Sequence, residues 1–137
     1  TSIFGKRVEY NIIGEMLNKG YDVYLPVIDD HGVDCIVKKS DGTFVEIQIK
    51  SRSENAKQPG FFTVDNHNKE IPNFFFIFYS ERSQTKWIFT SKQFIDNSMI
   101  NSSGKYKGRR KLNLITKKGT ISKKYESYIK QEYDFLE

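Results

Sequence analysis

Cysteine and long apolar runs are scarce in this sequence, and each absence excludes a class of protein. Cys35 is the single cysteine, so an internal disulfide and a cysteine-rich metal site are excluded. The longest uninterrupted apolar stretch spans residues 74–79, far short of the roughly 20 residues that a membrane helix needs. The chain does not open on a signal-peptide pattern. We therefore expect a cytoplasmic protein with no membrane partner.

The composition fits one domain with a basic surface. The 137 residues leave room for one sizeable core, and 37% hydrophobic residues with 15% aromatic residues are enough to build it. Twenty-two Lys and Arg outnumber seventeen Asp and Glu, which gives a net charge of +5 and a pI near 9.2. Such a bias suits a polyanionic partner, although charge alone does not identify it. We expect a single domain over residues 1–137.

The first half of the chain predicts a helix, a strand and a hairpin, in that order. Thr1 or Ser2 can cap a helix that Gly20 ends. The apolar residues at helical spacing between these ends are Val8, Ile12, Ile13, Met16 and Leu17. Residues 21–26 alternate as a short strand, and residues 33–39 and 44–50 alternate on either side of a turn signal at residues 40–42.

The second half predicts further strands and helices. Residues 51–60 are polar with Pro and Gly, which indicates a loop or a short helix, and residues 74–79 form a continuous apolar run typical of a buried strand. Residues 86–90 can be the neighbouring strand, and Ser91 can cap a short helix after it. A last strand at 112–116 and a closing helix at 122–136 are also predicted. The principal elements follow the order α-β-β-β-(α)-β-β-α. This order predicts an α/β (α+β) fold, a mixed sheet flanked by helices.

The hairpin register decides which face of the sheet Asp34 joins. A two-residue loop would pair Asp34 with Ile49 on the apolar side, whereas a three-residue loop ending in Gly42 sets it opposite Gln48. The second register places Val33, Cys35 and Val37 on the same side as Val45, Ile47 and Ile49, whereas the first mixes polar and apolar residues on both faces. At cross-strand spacings of about 5 Å, it gathers one polar cluster. The cluster consists of Asp34, Glu46, Gln48 and Lys50.

Glu9 adds a carboxylate from the helix. At roughly 100° per residue it lies near the middle of the apolar stripe, where a carboxylate is costly unless a cation or donor meets it. The helix packs this stripe onto the sheet, so Glu9 can reach the cluster around Asp34. Acidic and amide oxygens beside a lysine are what metal-assisted phosphodiester hydrolysis needs, because hard oxygens hold Mg²⁺ and Lys50 can stabilise developing negative charge.

These residues resemble the PD-(D/E)XK nuclease superfamily. The matching pattern is Gly5-x-x-x-Glu9 on a first helix, Gly32-Val33-Asp34, and Glu46-Ile47-Gln48-Ile49-Lys50, within about the first 52 residues. The resemblance extends to small Holliday-junction resolvases, homing endonucleases and restriction-type enzymes. It implies a restriction-endonuclease-like fold, an endonuclease activity and a divalent cofactor, Mg²⁺ or Mn²⁺.

In this superfamily the helical Glu, the Asp and the first residue of the (D/E)xK tripeptide bind metal, and the Lys is catalytic. The resemblance therefore implies metal ligands at Glu9, Asp34 and Gln48 and a catalytic Lys50. Val33 stands where the nominal motif has Pro, and Gln48 stands where it has Asp or Glu. Glu46, on the same face, can supply the missing charge, so either residue can complete the metal site.

A basic segment at residues 105–124 contains no acidic residue and holds much of the excess charge. Its lysines and arginines suit phosphate groups, and Tyr106 could stack on a base or sugar. The residues expected to bind nucleic acid are Arg52, Lys105, Lys107, Arg109, Arg110 and Lys111. A solubilising surface is the competing interpretation. DNA is the favoured substrate, and a homodimer would supply the two sites that double-strand cutting needs.

Other interpretations remain open. A solvated hairpin face would explain the polar cluster, and a structural ion pair with Lys50 or Arg52 would explain Glu9. A binding module of the same fold that no longer cuts, or a toxin or defence effector that cleaves RNA, would explain the basic surface. Cys35 and Trp87 are expected in the core, and His67 in a turn or at the surface. The residues expected near the rim of the site are Asp29, Asp30 and His31.

Overall fold

The computed structural model describes residues 2–28 and 32–137. Thr1 and the three rim residues expected from the sequence, Asp29, Asp30 and His31, lie outside the described residues. Within the described ranges, no helix is long and apolar enough to cross a membrane.

The first helix, α1 (Ile3–Asn18), has the ends that the sequence predicts. The Ser2 hydroxyl caps it by accepting the Gly5 N–H at 3.0 Å. At its other end Gly20 has a φ of 93°, and the Tyr21 N–H donates to the Met16 carbonyl at 3.1 Å. The residues that α1 buries are Val8, Glu9, Ile12, Ile13 and Met16.

Leu17 is a correction to the predicted buried stripe, because it is 53% exposed. At roughly 100° per residue it lies about 100° round the helix from Met16, at the edge of the stripe. Leu17 therefore faces solvent, and Glu9 and Met16 occupy the centre of the buried face.

The strands form two sheets. In chain order they are β1 (Asp22–Tyr24), β2 (Cys35–Lys38), β3 (Phe44–Arg52), β4 (Phe61–Val64), β5 (Phe74–Ser80), β6 (Thr85–Thr90), β7 (Met99–Ile100) and β8 (Arg110–Asn113). The main sheet has the order β1-β2-β3-β5-β6, in which β3 and β5 are parallel and the other neighbours are antiparallel. The predicted mixed sheet of an α+β fold is confirmed.

The register of the β2–β3 hairpin is the one that the three-residue loop predicts. Cys35 pairs with Ile47 and Lys38 with Phe44, and the Lys39 N–H donates to the Thr43 carbonyl at 2.7 Å. Gly42 has a φ of 88°, which L side chains rarely adopt. Cys35 and Val37 consequently share one face with Val45, Ile47 and Ile49, whereas Ile36 and Phe44 alternate to the other face. Val33 is a correction, because it precedes β2 and packs against the apolar cluster on the opposite face of the sheet.

The second sheet, with the order β4-β8-β7, was not predicted. Its outer strands β4 and β7 are short, and its central strand β8 ends at Asn113, three residues before the end of the predicted strand at 112–116. For residues 51–60 the sequence predicted either a loop or a short helix. β3 continues through Arg52, and residues 53–60, all of which the structure describes, form turns rather than a helix.

The short helix α2 (Ser91–Asn97) starts one residue earlier than expected. Thr90, not Ser91, is the N-cap, and it forms a capping box with Gln93. Ser91 is the first helical residue and is buried. The N-cap prediction was wrong because Thr90 and Ser91 are both good caps, and only Thr90 has Gln three residues later.

The predicted closing helix at 122–136 is wrong. Two 3₁₀ segments stand there, Lys123–Tyr128 and Asp134–Leu136. Between them the chain bonds to β6, since the Lys130 N–H donates to the Lys86 carbonyl at 3.0 Å, and the Tyr128 ring stacks on Phe89 at 4.1 Å. Contacts with the sheet therefore override a segment whose Tyr and Ile residues are weak helix formers.

Two apolar clusters lie on opposite faces of the main sheet. α1 packs on the face that carries Val45, Ile47 and Ile49. The other face carries Phe76, Phe78, Phe89 and the predicted core residue Trp87, which pack with α2 and the second sheet. Cys35 is fully buried in the first cluster, as the sequence predicts.

Candidate active site

The site forms at the edge of β3, beyond the start of β2. β2 begins at Cys35, whereas β3 runs on past its partner, Ile47, to Arg52. The Asp34 N–H donates to the Ile47 carbonyl at 2.8 Å, and Asp34 Oδ2 accepts the Ile49 N–H at 2.6 Å. The Asp34 side chain thus takes the place of a neighbouring strand, which fixes its carboxylate beside β3.

This open edge explains how side chains from both faces of the sheet meet. Gln48 and Lys50 are in register with Phe76 and Phe78, so they lie on the face opposite α1. Glu9 comes from α1 on the first face. The residues meet only because β2 does not cover this part of β3, a feature that the sequence alone did not indicate.

Four of the five predicted catalytic residues line one cavity of about 340 Å³. They are Glu9, Asp34, Gln48 and Lys50. Ser2 and Gly5, at the N-terminal end of α1, also line it. Glu46 does not line this cavity and faces an adjoining one of about 550 Å³, which also borders Gln48 and Lys50.

The Glu9 carboxylate is buried, and one of its oxygens has an ion-pair partner but no hydrogen bond among the described residues. The residue is 7% exposed, and its Oε2 atom has no hydrogen-bond partner among the described residues. Lys6 Nζ lies 3.2 Å from Oε2, close enough for an ion pair although the contact does not meet hydrogen-bond geometry. The sequence analysis offered Lys50 or Arg52 as an ion-pair partner of Glu9 and missed Lys6, although the i,i+3 spacing from Glu9 was a signal for it.

Gly32 allows the backbone to approach the Gln48 amide. It has a φ of 71°, and a Cβ at this position would lie 3.0 Å from Gln48 Nε2 and 3.1 Å from Oε1. A larger residue would therefore displace the amide, so the Gly-Val-Asp sequence before β2 holds Gln48 against the cavity.

The donors suit a hard divalent cation. Among the described residues no three His, Cys, Asp or Glu side chains gather into a metal-holding group, so the set here is two carboxylates, Glu9 and Asp34, and the Gln48 amide. Mg²⁺ accepts such oxygens and usually retains several waters, so few protein ligands are needed. The buried Oε2 of Glu9 that lacks a hydrogen bond fits a site that a cation completes.

Lys50 lies in the same cavity, and in the part of the chain that the structure describes no carboxylate forms an ion pair with it.

Burial raises the pKa of the nearby Cys35 thiol to about 12, with further contributions from Asp34 and Glu9. Cys35 is therefore a protonated core residue and not a nucleophile.

The surface position expected of His67 is wrong, because this residue is buried in the loop between β4 and β5. Its Nε2 lies 2.6 Å from the Ser91 hydroxyl, which also accepts the Ile71 N–H at 2.9 Å. Burial lowers the pKa of His67, and the charge of Arg110 lowers it further. His67 thus anchors the loop between β4 and β5, which lines the adjoining cavity.

The predicted nucleic-acid-binding residues fall into two groups. Arg110 is committed to the fold, since its guanidinium donates to the His67 and Ile95 carbonyls and to Asn68 and Ser98. Two others also make contacts within the protein. Arg109 donates to the Asp65 carboxylate at 2.6 Å, and its guanidinium lies 4.2 Å from the centre of the Tyr106 ring. Arg52 donates to the Gln58 carbonyl at 3.1 Å. The exposed group consists of Lys105, Lys107 and Lys111.

A sequence model of the PD-(D/E)XK endonuclease family matches residues 1–73, more than half of the chain. The chain belongs to this family. All the residues of the cavity lie inside the matched range. This PD-(D/E)XK endonuclease is therefore a nuclease, as the sequence predicts, and metal dependence is general in the family.

A solved structure supports the fold of this PD-(D/E)XK endonuclease over nearly all of its length. The bacterial homing endonuclease I-Ssp6803I is 21% identical, with a TM-score of 0.56 over 93% of this chain and 85% of that one. At this identity the likeness concerns the fold alone. No curated protein matches the sequence significantly.

Proposed function

We propose that this protein is a Mg²⁺- or Mn²⁺-dependent endonuclease that cuts DNA at the cavity beside β3. The observation that carries the proposal is the convergence of two carboxylates, an amide and a lysine from α1 and the hairpin on one cavity of about 340 Å³. Membership of the PD-(D/E)XK endonuclease family supports the reaction class.

Glu9, Asp34 and the Gln48 amide would hold the metal. When bound, the metal polarises the scissile phosphate and lowers the pKa of the attacking water. Asp34 is positioned for this role by the Ile49 N–H. We favour Gln48 over Glu46 as the third ligand, because Gln48 lines the cavity with Glu9 and Asp34 whereas Glu46 faces the adjoining one.

Lys50 would act on the phosphate rather than on the fold. Lys50 borders both cavities and, among the described residues, no carboxylate forms an ion pair with it. A cation there can stabilise the negative charge that develops on the phosphate oxygens. The exposed lysines of the 105–124 segment would hold the flanking backbone, and Arg109 joins that segment to Asp65 at the rim of the adjoining cavity.

The cleavage rates of the Lys50→Met and Asp34→Asn variants test the proposal. Each variant should lose at least about 100-fold in the cleavage rate of a labelled duplex in Mg²⁺, because each removes charge that serves the metal or the transition state. Asp34→Asn is chosen because an amide oxygen can still accept the Ile49 N–H. Lys38→Met, at an exposed position of the same hairpin, is the matched control and should cut normally.

Binding of the duplex in Ca²⁺ should stay within about twofold for all three variants, since these groups serve the metal and the transition state more than ground-state binding. A wild type that binds DNA in every metal tested and never cuts it would instead support an inert binding module. A wild type that cuts RNA and leaves DNA intact would support an RNA-cleaving effector.

The proposal includes a homodimer and a cytoplasmic location. Cutting both strands of a duplex needs two cavities of this kind, and one chain supplies one. The single buried Cys35 suits a reducing compartment. Light scattering on the purified protein, with and without duplex, tests the dimer, and a monomer in both conditions would contradict it.

A further inference from the structure

We propose that Lys6 is a displaceable counter-ion of Glu9, which neutralises this carboxylate in the metal-free protein and yields when a divalent cation binds. The inference rests on the proposed function, because it needs Glu9 to be a metal ligand. It adds to that function a residue which the sequence motif does not contain.

The geometry of the pair is asymmetric. Lys6 Nζ lies 3.2 Å from Glu9 Oε2, and the side chains are 49% and 9% exposed, respectively. A carboxylate buried to this degree is costly unless a cation compensates it. In the described part of the chain Lys6 is the cation that forms an ion pair with Glu9. The lysine is half in solvent on a flexible stem, so it can leave at little cost, whereas Glu9 cannot.

Lys6 approaches the carboxylates from its own side. Together with Glu9 and Asp34 it lines a pocket of about 110 Å³, which Leu25 and Pro26 also border. Gln48 and Lys50 line the larger cavity, which shares Glu9 and Asp34 with this pocket but is not lined by Lys6. Lys6 can therefore withdraw to solvent without crossing the cavity where metal and phosphate would meet.

An ammonium at this distance opposes metal binding at Glu9, whichever carboxylate oxygen takes the metal. It must leave the carboxylate or remain beside a divalent cation of like charge. Because half-exposed ion pairs contribute little, the effect on affinity is modest. Removing Lys6 should tighten metal binding by roughly two- to fivefold.

Calorimetric titration with Mn²⁺ measures this effect directly and does not depend on cleavage. The variants are Lys6→Met and Lys6→Arg, and the control is Lys19→Met. Lys19 lies at the other end of α1, about 20 Å away along the helix axis, and pairs with Glu132 at 3.4 Å. We expect tighter binding in Lys6→Met, and affinities close to that of the wild type in Lys6→Arg and Lys19→Met, since the charge near Glu9 remains.

Thermal unfolding provides a second measurement. Without metal, Lys6→Met should unfold at a lower temperature than the wild type, because Glu9 has lost its counter-ion. Saturating Mn²⁺ should raise the unfolding temperature more in Lys6→Met than in the wild type, since a tighter ligand stabilises the folded state more at the same concentration. Lys19→Met should show the wild-type increase.

Glu9→Gln separates a failure of this inference from a failure of the proposed site. If Glu9→Gln weakens Mn²⁺ binding while Lys6→Met leaves it unchanged or weakens it, the counter-ion role is overturned and the metal site stands. If the wild type does not bind Mn²⁺, or binds it equally well without the Glu9 carboxylate, the proposed site is overturned and the role of Lys6 falls with it.

Discussion

Gln48 carries an amide where the nominal motif of the superfamily has a carboxylate, and the substitution Gln48→Glu restores that carboxylate. Gln48→Glu should bind Mn²⁺ tighter by on the order of tenfold, about 1.4 kcal/mol, because a third carboxylate is a better hard-oxygen ligand than an amide. Calorimetry checks this. Glu46→Gln, which changes the charge of the adjoining cavity, should leave the affinity unchanged. Unchanged affinity in Gln48→Glu together with weakened binding in Glu46→Gln would move the ligand role to Glu46.

Gly32 and Gly42 form a matched pair for testing the close approach to Gln48. Both have positive φ, 71° and 88°, so alanine at either should cost about 1 kcal/mol of unfolding free energy. Only at Gly32 would the new Cβ meet the Gln48 amide, because nothing lies within 4 Å of a Cβ at Gly42. We expect Gly32→Ala to weaken Mn²⁺ binding and Gly42→Ala not to. Equal Mn²⁺ affinities in the two variants would argue against Gln48 as a ligand.

At the scale of elements, the sequence predicted what is local and patterned. The Ser2 cap, the Gly20 stop and the hairpin register all follow from residues close together in the chain. The placement of Asp34, Gln48 and Lys50 around one cavity was expected from that register, and that of Glu9 from the apolar stripe of the helix, but their roles remain predictions. The second sheet joins β4 to β8, strands far apart in the chain and too short for alternation to reveal.

The 3₁₀ segments near the C-terminus were missed for the same physical reason. Tyr125 and Tyr128 recur at a spacing that suits one face of a helix, yet the segment is held by Phe89 and by backbone bonds to β6. Arg110 was assigned to nucleic acid on charge alone, and its four acceptors within the protein could not be seen in the sequence.

The loop between β4 and β5 depends on a neutral His67, and this predicts a dependence of stability on pH. Burial, then the charge of Arg110, lowers the pKa of His67 below its ordinary value of 6.5 in the folded protein. As pH falls below about 6.5, the unfolded chain therefore takes up a proton that the folded chain resists, and stability is lost. Above that pH its contribution is fully present.

Urea unfolding of the wild type and of His67→Gln, between pH 8 and pH 5, measures this dependence. The difference in unfolding free energy between the two proteins should be constant above about pH 7 and shift against the wild type as pH falls. Taking the difference removes the titration of groups that both proteins share. A difference that stays constant across the whole range would contradict a buried, neutral His67.

For the whole molecule, the distribution of exposed charge predicts how binding responds to salt. Arg109 and Arg110 are engaged within the protein, so we expect Lys105, Lys107 and Lys111 to bind the phosphates. Replacing all three with Ala should make the log–log salt dependence of duplex binding shallower by about 0.9 for each phosphate that the variant no longer neutralises. Gel shifts in Ca²⁺ at several salt concentrations check this.

An equal loss of charge elsewhere is the control for this salt experiment. Lys19, Lys38 and Lys130 are exposed and belong to other surfaces of the molecule, so their replacement with Ala should leave the slope close to that of the wild type. The same reduction of slope in both triple variants would mean that net charge, and not the 105–124 segment, holds the nucleic acid.

The parallel pairing of β3 with β5 bears on the order in which the nuclease is completed during translation. All the residues of the cavity leave the ribosome before β5, the strand that supports β3 on the edge opposite the hairpin. Such non-local pairing forms late. We expect a nascent chain stalled before Phe74 to carry every proposed ligand and still leave nucleic acid intact, so the cell is not exposed to an unfinished nuclease.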